Sequence, residues 1–139
     1  MARKMRDIMS PAPVSLAATE TAATAARAMK EHATGTVLVS TGGEFTGLVT
    51  ERDITVRVLA ENRDPQSTCL GDICSTRLAV LGPDDDVEEA ERLVRERAVR
   101  RIPVIRDGVP VGVVSTGDLA REQDERPALA VVPAAAPGA

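Results

Sequence analysis

Apolar and polar positions alternate in the same way twice along the chain. Residues 19–33 are Ala-rich, carry good helix formers and open on a Thr able to cap, which predicts a helix. A short apolar strand follows at Val37-Leu38-Val39, then the turn dipeptide Gly42-Gly43, then a return strand over 45–49. A polar segment over 51–60 reads as a second helix. In the other half, Pro83 and Asp84-Asp85-Asp86 precede a helix in which Val87, Ala90, Leu93 and Val94 are apolar at helical spacing. The acidic run suits the positive end of that helix and reads as a helix start, not a cation site. Strand Ile102-Pro103-Val104-Ile105, turn Asp107-Gly108, return strand 109–114 and a helix over 116–122 complete the half. Each half is expected to run strand, helix, strand, strand, helix.

The two halves are copies. A shift of 65 residues lays Gly47-Leu48-Val49-Thr50-Glu51-Arg52-Asp53 on Gly112-Val113-Val114-Ser115-Thr116-Gly117-Asp118 without a gap. The same shift pairs Asp7 with Asp72, Ile8 with Ile73, Leu16 with Leu81, Ala25 with Ala90 and Val39 with Val104. A period this long is a complete subdomain, not a solenoid turn. The halves are expected over 7–64 and 72–126, linked near 61–66, with a Pro- and Ala-rich tail over 127–139 that lacks periodicity and is expected to be disordered.

At 139 residues the chain fits one compact domain, while each half alone lies near the lower limit for a self-sufficient core. One Phe and no Trp or Tyr leave the core to Val, Leu, Ile, Ala and Met, so aliphatic side chains and backbone must hold any planar ligand. A net charge of -4 and the missing aromatics argue against nucleic acid as a partner. The basic N-terminus lacks a signal-like apolar run and no stretch reaches the roughly 20 apolar residues of a membrane span. Neither nucleic acid nor membrane is expected as a partner, and the expected location is the cytoplasm. Cys69 and Cys74 lack zinc-site spacing and read as free thiols, so no metal is expected.

The repeated Gly-x-x-Thr/Ser-x-x-Asp motif carries the candidate chemistry. A hydroxyl leaving a strand and an Asp three residues later share one space with helix-start N–H groups. The Asp can accept from ribose hydroxyls, and the hydroxyl and N–H groups can meet phosphate oxygen. Helix capping by Thr50 with Asp53, and by Ser115 with Asp118, is the alternative. Arg100-Arg101 stands where the first copy has Gly35-Thr36, so the copies differ in charge: a guanidinium pair suited to phosphate on one side, a neutral edge on the other. A solvated Arg pair is the plainer reading. His32, near a helix end, suits the helix dipole better than general-base duty. No nucleophile elbow, Walker loop or supported carboxylate pair is present, so no enzyme activity and no catalytic residue is expected.

These residues resemble the CBS domain family, in particular a stand-alone bacterial tandem pair. The resemblance rests on Asp7-Ile8-Met9, Gly35-Thr36-Val37-Leu38-Val39, the Gly47 and Gly112 motifs, and Val99-Arg100-Arg101-Ile102-Pro103-Val104. Thr-Glu-Arg-Asp-Ile in the first copy and Val-Arg-Arg-Ile-Pro-Val in the second are similar to actinobacterial stress-associated members. The resemblance implies an α+β fold of two βαββα repeats related by a pseudo-two-fold axis, with their three-stranded sheets packed together and two clefts between the repeats. It also implies a homodimer, a separate regulated protein, and an adenosyl nucleotide (AMP, ADP, ATP or S-adenosylmethionine) as regulatory ligand, with no cofactor required. A ligand-free dimeric scaffold is the alternative.

Carried onto this sequence, the resemblance implies a favoured pocket in which Ser115 and Asp118 meet ribose and phosphate beside Arg100 and Arg101. Met9, Ser10, Val14, Gly35, Thr36 and Val37 would form its base side. The second pocket would use Thr50 and Asp53 with Cys74, Ser75, Ala79 and the backbone of Arg100 and Arg101. There the bulky Arg pair and the neutral Gly35-Thr36 edge depart from an ideal site. Leu38 also departs from the Pro common at its place.

Overall fold

A computed structural model describes residues 3–11, 13–76 and 78–124. The tail expected over 127–139 lies outside the described residues. In chain order the elements are α1 (Met5–Ile8), β1 (Ser10–Pro11), β2 (Ser15–Ala17), α2 (Ala22–His32), β3 (Thr36–Thr41), β4 (Glu44–Thr50), α3 (Glu51–Ile54), α4 (Leu70–Ile73), α5 (Val87–Arg97), β5 (Arg101–Arg106), β6 (Val109–Ser115) and α6 (Thr116–Asp124). The α+β class and the two three-stranded sheets, β1-β6-β5 and β2-β3-β4, match the expectation.

The chain divides into two compact units that are not continuous in sequence. One holds the described residues of 1–11, 79–106 and 111–139, and is called the Asp118 unit below; the other, the Asp53 unit, holds those of 12–78 and 107–110. The sequence repeats over 7–64 and 72–126 and the compact units therefore do not coincide, because each copy's leading segment packs with the other copy's strands. β1 pairs antiparallel with β6, Ser10 opposite Val113. The equivalent contact in the Asp53 unit is a bridge between Ser75 and Leu48, closed by hydrogen bonds of 2.9 and 3.0 Å. Parallel pairing is equivalent too: β2 with β3 sets Leu16 opposite Val39, and a bridge sets Leu81 opposite Val104.

The short helices α1 and α4, also 65 residues apart, were not expected from the pattern, since four residues hold too little periodicity to read. Packing explains them. Met5 and Leu70 are fully buried, Met5 among Leu81, Val87, Leu93, Ile102, Val104 and Val114, and Leu70 among Ala25, Met29, Val37, Val39, Val49 and Val58. Truncating either to Ala should cost about 2–5 kcal/mol. Val37 and Val39 face that second cluster, while Leu38 on the alternate face is also fully buried, as is Pro103 at the matching place in β5.

Local chemistry sets the boundaries. α2 starts at Ala22, later than expected from Thr19, because Thr21 Oγ1 accepts from Thr24 N–H at 3.2 Å and caps it. Asp86 holds the N-cap position of α5 with no side-chain cap bond; Asp85 Oδ2 instead accepts from Gly82 N–H at 2.7 Å. The hairpin turns have positive φ at both central residues, 62° and 88° at Gly42 and Gly43, 51° and 81° at Asp107 and Gly108. Those are the angles that let a tight turn follow the strand twist. The helix expected over 51–60 begins as α3 and continues as a π-helical turn over Thr55–Leu59, with Ala60 N–H donating to Thr55 O at 2.9 Å. Among the described residues no helix is long and apolar enough to cross a membrane.

Candidate functional site

In the Asp118 unit, β6 ends at Ser115 and α6 begins at once. Asp118 Oδ2 accepts from Ser115 N–H at 2.8 Å, and Ser115 Oγ accepts from Asp118 N–H at 3.1 Å. This reciprocal pair is a capping box, so the capping reading of the motif is correct as far as it goes. It uses one carboxylate oxygen. Oδ1 meets the Arg121 guanidinium, whose side chain is largely exposed, while Asp118 itself is only 8% exposed. A polar cavity of about 190 Å³ opens beside it, lined by Arg3, Asp7, Ile8, Asp118, Arg121 and Glu122. Glu122 is buried, with Oε2 3.3 Å from Arg3 Nη1 and no aligned hydrogen bond.

Thr116 N–H donates to Arg100 O at 3.0 Å, which seats the start of β5 against the motif. The Arg100 backbone thus lies against the start of α6, and Arg101 opens β5 in the same unit. Met9 and Ser10 lie along β6, where β1 pairs with it and Gly112 meets Met9 closely. Of the residues expected in the favoured pocket, Met9, Ser10, Arg100, Arg101, Ser115 and Asp118 fall in one unit; Val14, Gly35, Thr36 and Val37 fall in the other.

The Asp53 unit repeats the geometry. Asp53 Oδ2 accepts from Thr50 N–H at 2.8 Å and from Thr50 Oγ1 at 3.2 Å, and Thr50 Oγ1 accepts from Asp53 N–H at 3.2 Å. Thr36 stands opposite Thr50 across β3 and β4, and Gly35 O accepts from Glu51 N–H at 3.0 Å. The Thr36 hydroxyl is buried with no partner. Val14 O accepts from Leu38 N–H at 2.9 Å. Cys74 and Ser75 lie along Gly47 and Leu48, where an added Cβ on Gly47 would come within 2.6 Å of Cys74 Sγ. Burial pushes the Cys74 thiol above its ordinary value, and the Asp53 charge adds to that. Ala79, Arg100 and Arg101, also expected in this pocket, belong to the other unit.

Three side chains at these sites were not singled out for these roles by the sequence. Arg57 Nε is 3.8 Å from Asp53 Oδ1 and its Nη1 donates to Ile73 O at 3.0 Å. Arg121 pairs with Asp118, and Glu51 folds over Gly35. Spacings of three and four residues along a helix were the available signal for the two arginines. Carboxylate, hydroxyl, backbone N–H and guanidinium together can bind hydroxyls and anions. Among the described residues no group of three or more His, Cys, Asp and Glu is placed to hold a metal ion.

The family model of the CBS domain matches residues 5–60 and again 70–125. The chain belongs to the CBS domain family. It is 34% identical over 119 residues to the CBS domain-containing protein YhcV of Bacillus subtilis, covering 86% of this chain and 84% of that one. It is 31% identical over 121 residues to hypoxic response protein 1 of Mycobacterium tuberculosis, covering 86% and 85%. A crystal structure of Hypoxic Response Protein I with two coordinated zinc ions superposes with a TM-score of 0.75 at 30% identity, over 86% of this chain and 98% of that one. A hexameric CBS-CP12 protein from bloom-forming cyanobacteria superposes at 0.79 and 30% identity, over 91% and 77%. The two CBS repeats are thus those seen as a 65-residue echo, and the Asp of each stands at the strand-to-helix junction of its own sheet.

Proposed function

We propose that this CBS-pair protein is a non-enzymatic regulatory sensor that binds an adenosyl ligand, one of AMP, ADP, ATP or S-adenosylmethionine, at the Ser115–Asp118 site. One observation carries the reading: Asp118, 8% exposed, spends one oxygen on its cap and turns the other toward the exposed side chain of Arg121, in the unit that also holds Arg100 and Arg101. A ribose can take that second oxygen when the exposed guanidinium swings away, and phosphate finds Ser115 and the Arg pair. The protein would act as a homodimer in the cytoplasm and pass its state to a separate protein, in a stress response as the hypoxic response relative's name suggests for that protein. A ligand shifts such a module only by its difference in affinity between conformations.

Calorimetry with AMP, ATP and S-adenosylmethionine tests this. Asp118→Ala should abolish the tighter binding and Asp53→Ala should spare it. Saturating ligand at about 100 times Kd should stabilise the fold by roughly 2.7 kcal/mol. No thermal shift with any of them would return the protein to the ligand-free scaffold reading.

A further inference from the structure

Gly35 and Arg100 hold the same backbone place, since the carbonyl of each accepts the N–H of the residue that follows the motif hydroxyl, Glu51 in one site and Thr116 in the other, both at 3.0 Å. The charged residues at the two places are of opposite sign, Glu51 in one and Arg100 in the other. In the Asp53 unit the Glu51 side chain folds back onto the strand start: a Cβ on Gly35 would lie 2.6 Å from Glu51 Oε1 and 2.9 Å from its Cδ. The carboxylate thus occupies the space that a side chain at position 35 would claim, two residues from Asp53. Arg57 is turned to Asp53 Oδ1 and Ile73 O. Arg52 is exposed. In the Asp118 unit the matching residues are Thr116, which is neutral, and Arg100, which is cationic.

We propose that Glu51 is a specificity-determining residue, and that the Thr50–Asp53 site takes an adenosyl ligand with no anionic group at its 5′ position, while phosphorylated ligand is confined to the Ser115–Asp118 site. This rests on the adenosyl reading given above. A ribose on Asp53 directs its 5′ substituent toward Thr50 and the Gly35 edge, where a phosphate would stand against the Glu51 carboxylate. Two like charges at such range repel enough to cost tenfold or more in affinity even under substantial solvent screening. A 5′ group that is neutral or positive meets no such penalty, and a positive one gains from the same carboxylate.

The test is calorimetry with AMP, adenosine and S-adenosylmethionine on the intact chain, on Glu51→Thr and on the reciprocal Thr116→Glu, each checked for folding by circular dichroism. The wild type should bind one AMP per chain. Glu51→Thr, which copies the other site's residue, should strengthen AMP at the second site by about tenfold or more. Thr116→Glu should weaken AMP at the first site by a similar factor and leave adenosine unchanged. Two equal AMP sites in the wild type, or AMP binding that neither substitution alters, overturns the role of Glu51 while leaving the adenosyl reading standing. Binding of none of the three compounds by any of the chains overturns both.

Discussion

Gly112 runs so close to Met9 that a methyl group on its Cα would lie 2.4 Å from the Met9 sulfur and 2.9 Å from Ser10 O. The motif glycine of the other copy meets Cys74 and Ser75 in the same manner, at 2.6 Å from Sγ and 2.9 Å from the carbonyl oxygen. Neither glycine has a positive φ, so what they provide is room for the exchanged segment. Gly112→Ala should therefore lower stability by about 1–3 kcal/mol in urea unfolding. Adding Met9→Ala should recover only part of it, because the Ser10 carbonyl stays in the way. Full recovery would mean that the methionine alone sets the constraint.

Ala33 and Ala98 end α2 and α5 in the left-handed region, at φ 51° and 53°. An L side chain is strained there and glycine is not. Ala33→Gly and Ala98→Gly should each raise stability by about 0.5–1 kcal/mol, after the greater freedom of glycine in the unfolded chain is subtracted. Thermal unfolding reads the gain, and a lower Tm for either variant would contradict the cap geometry.

Thr36 is 6% exposed and its hydroxyl has no partner. Thr36→Val keeps the shape and suits a strand, so stability should rise by about 1 kcal/mol. Denaturant titration decides, and adenosine affinity on the same variant shows separately whether the hydroxyl serves binding. A fall in stability would show that the hydroxyl does hold a partner.

Cys74 is held as the thiol by burial, with its pKa above 9.0. A raised folded pKa leaves stability intact at pH values below the unfolded thiol's and withdraws it as pH climbs through the folded one. In a Cys69→Ser background, alkylation of Cys74 should follow a pH profile with its midpoint above 9.0, the ordinary value. A midpoint at or below that value would place the sulfur in water. Cys74→Ala should remove this thiol's share of the alkaline loss of stability, a share that is absent near pH 7.

The motif residues were legible because duplication printed them twice: Thr50 with Asp53 and Ser115 with Asp118 each form the same box at a strand-to-helix junction. The residue pattern offers helix capping and ligand binding as alternatives for each Asp, yet a carboxylate has two oxygens and the cap uses one. Arg57 and Arg121 went unread since one reaches its Asp across four residues and the other across three, and the local helix type decides which spacing meets. The π-helical turn after α3 has no clear mark in the residue pattern.

Periodicity, turn dipeptides and the 65-residue echo by themselves determined the succession of helices and strands in each half, the hairpins at Gly42-Gly43 and Asp107-Gly108, and the paired motifs, because these depend on local backbone preference and on copying. Tertiary structure alone decided that Met5 packs against β5 and β6, and Leu70 against β3 and β4, while for Ser10 and Ser75 the family resemblance already implies the partner repeat. Short segments such as 5–11 carry too little local preference to choose a partner. Burial of Met5 and Leu70, and the space left by Gly112 and Gly47, make that choice for them.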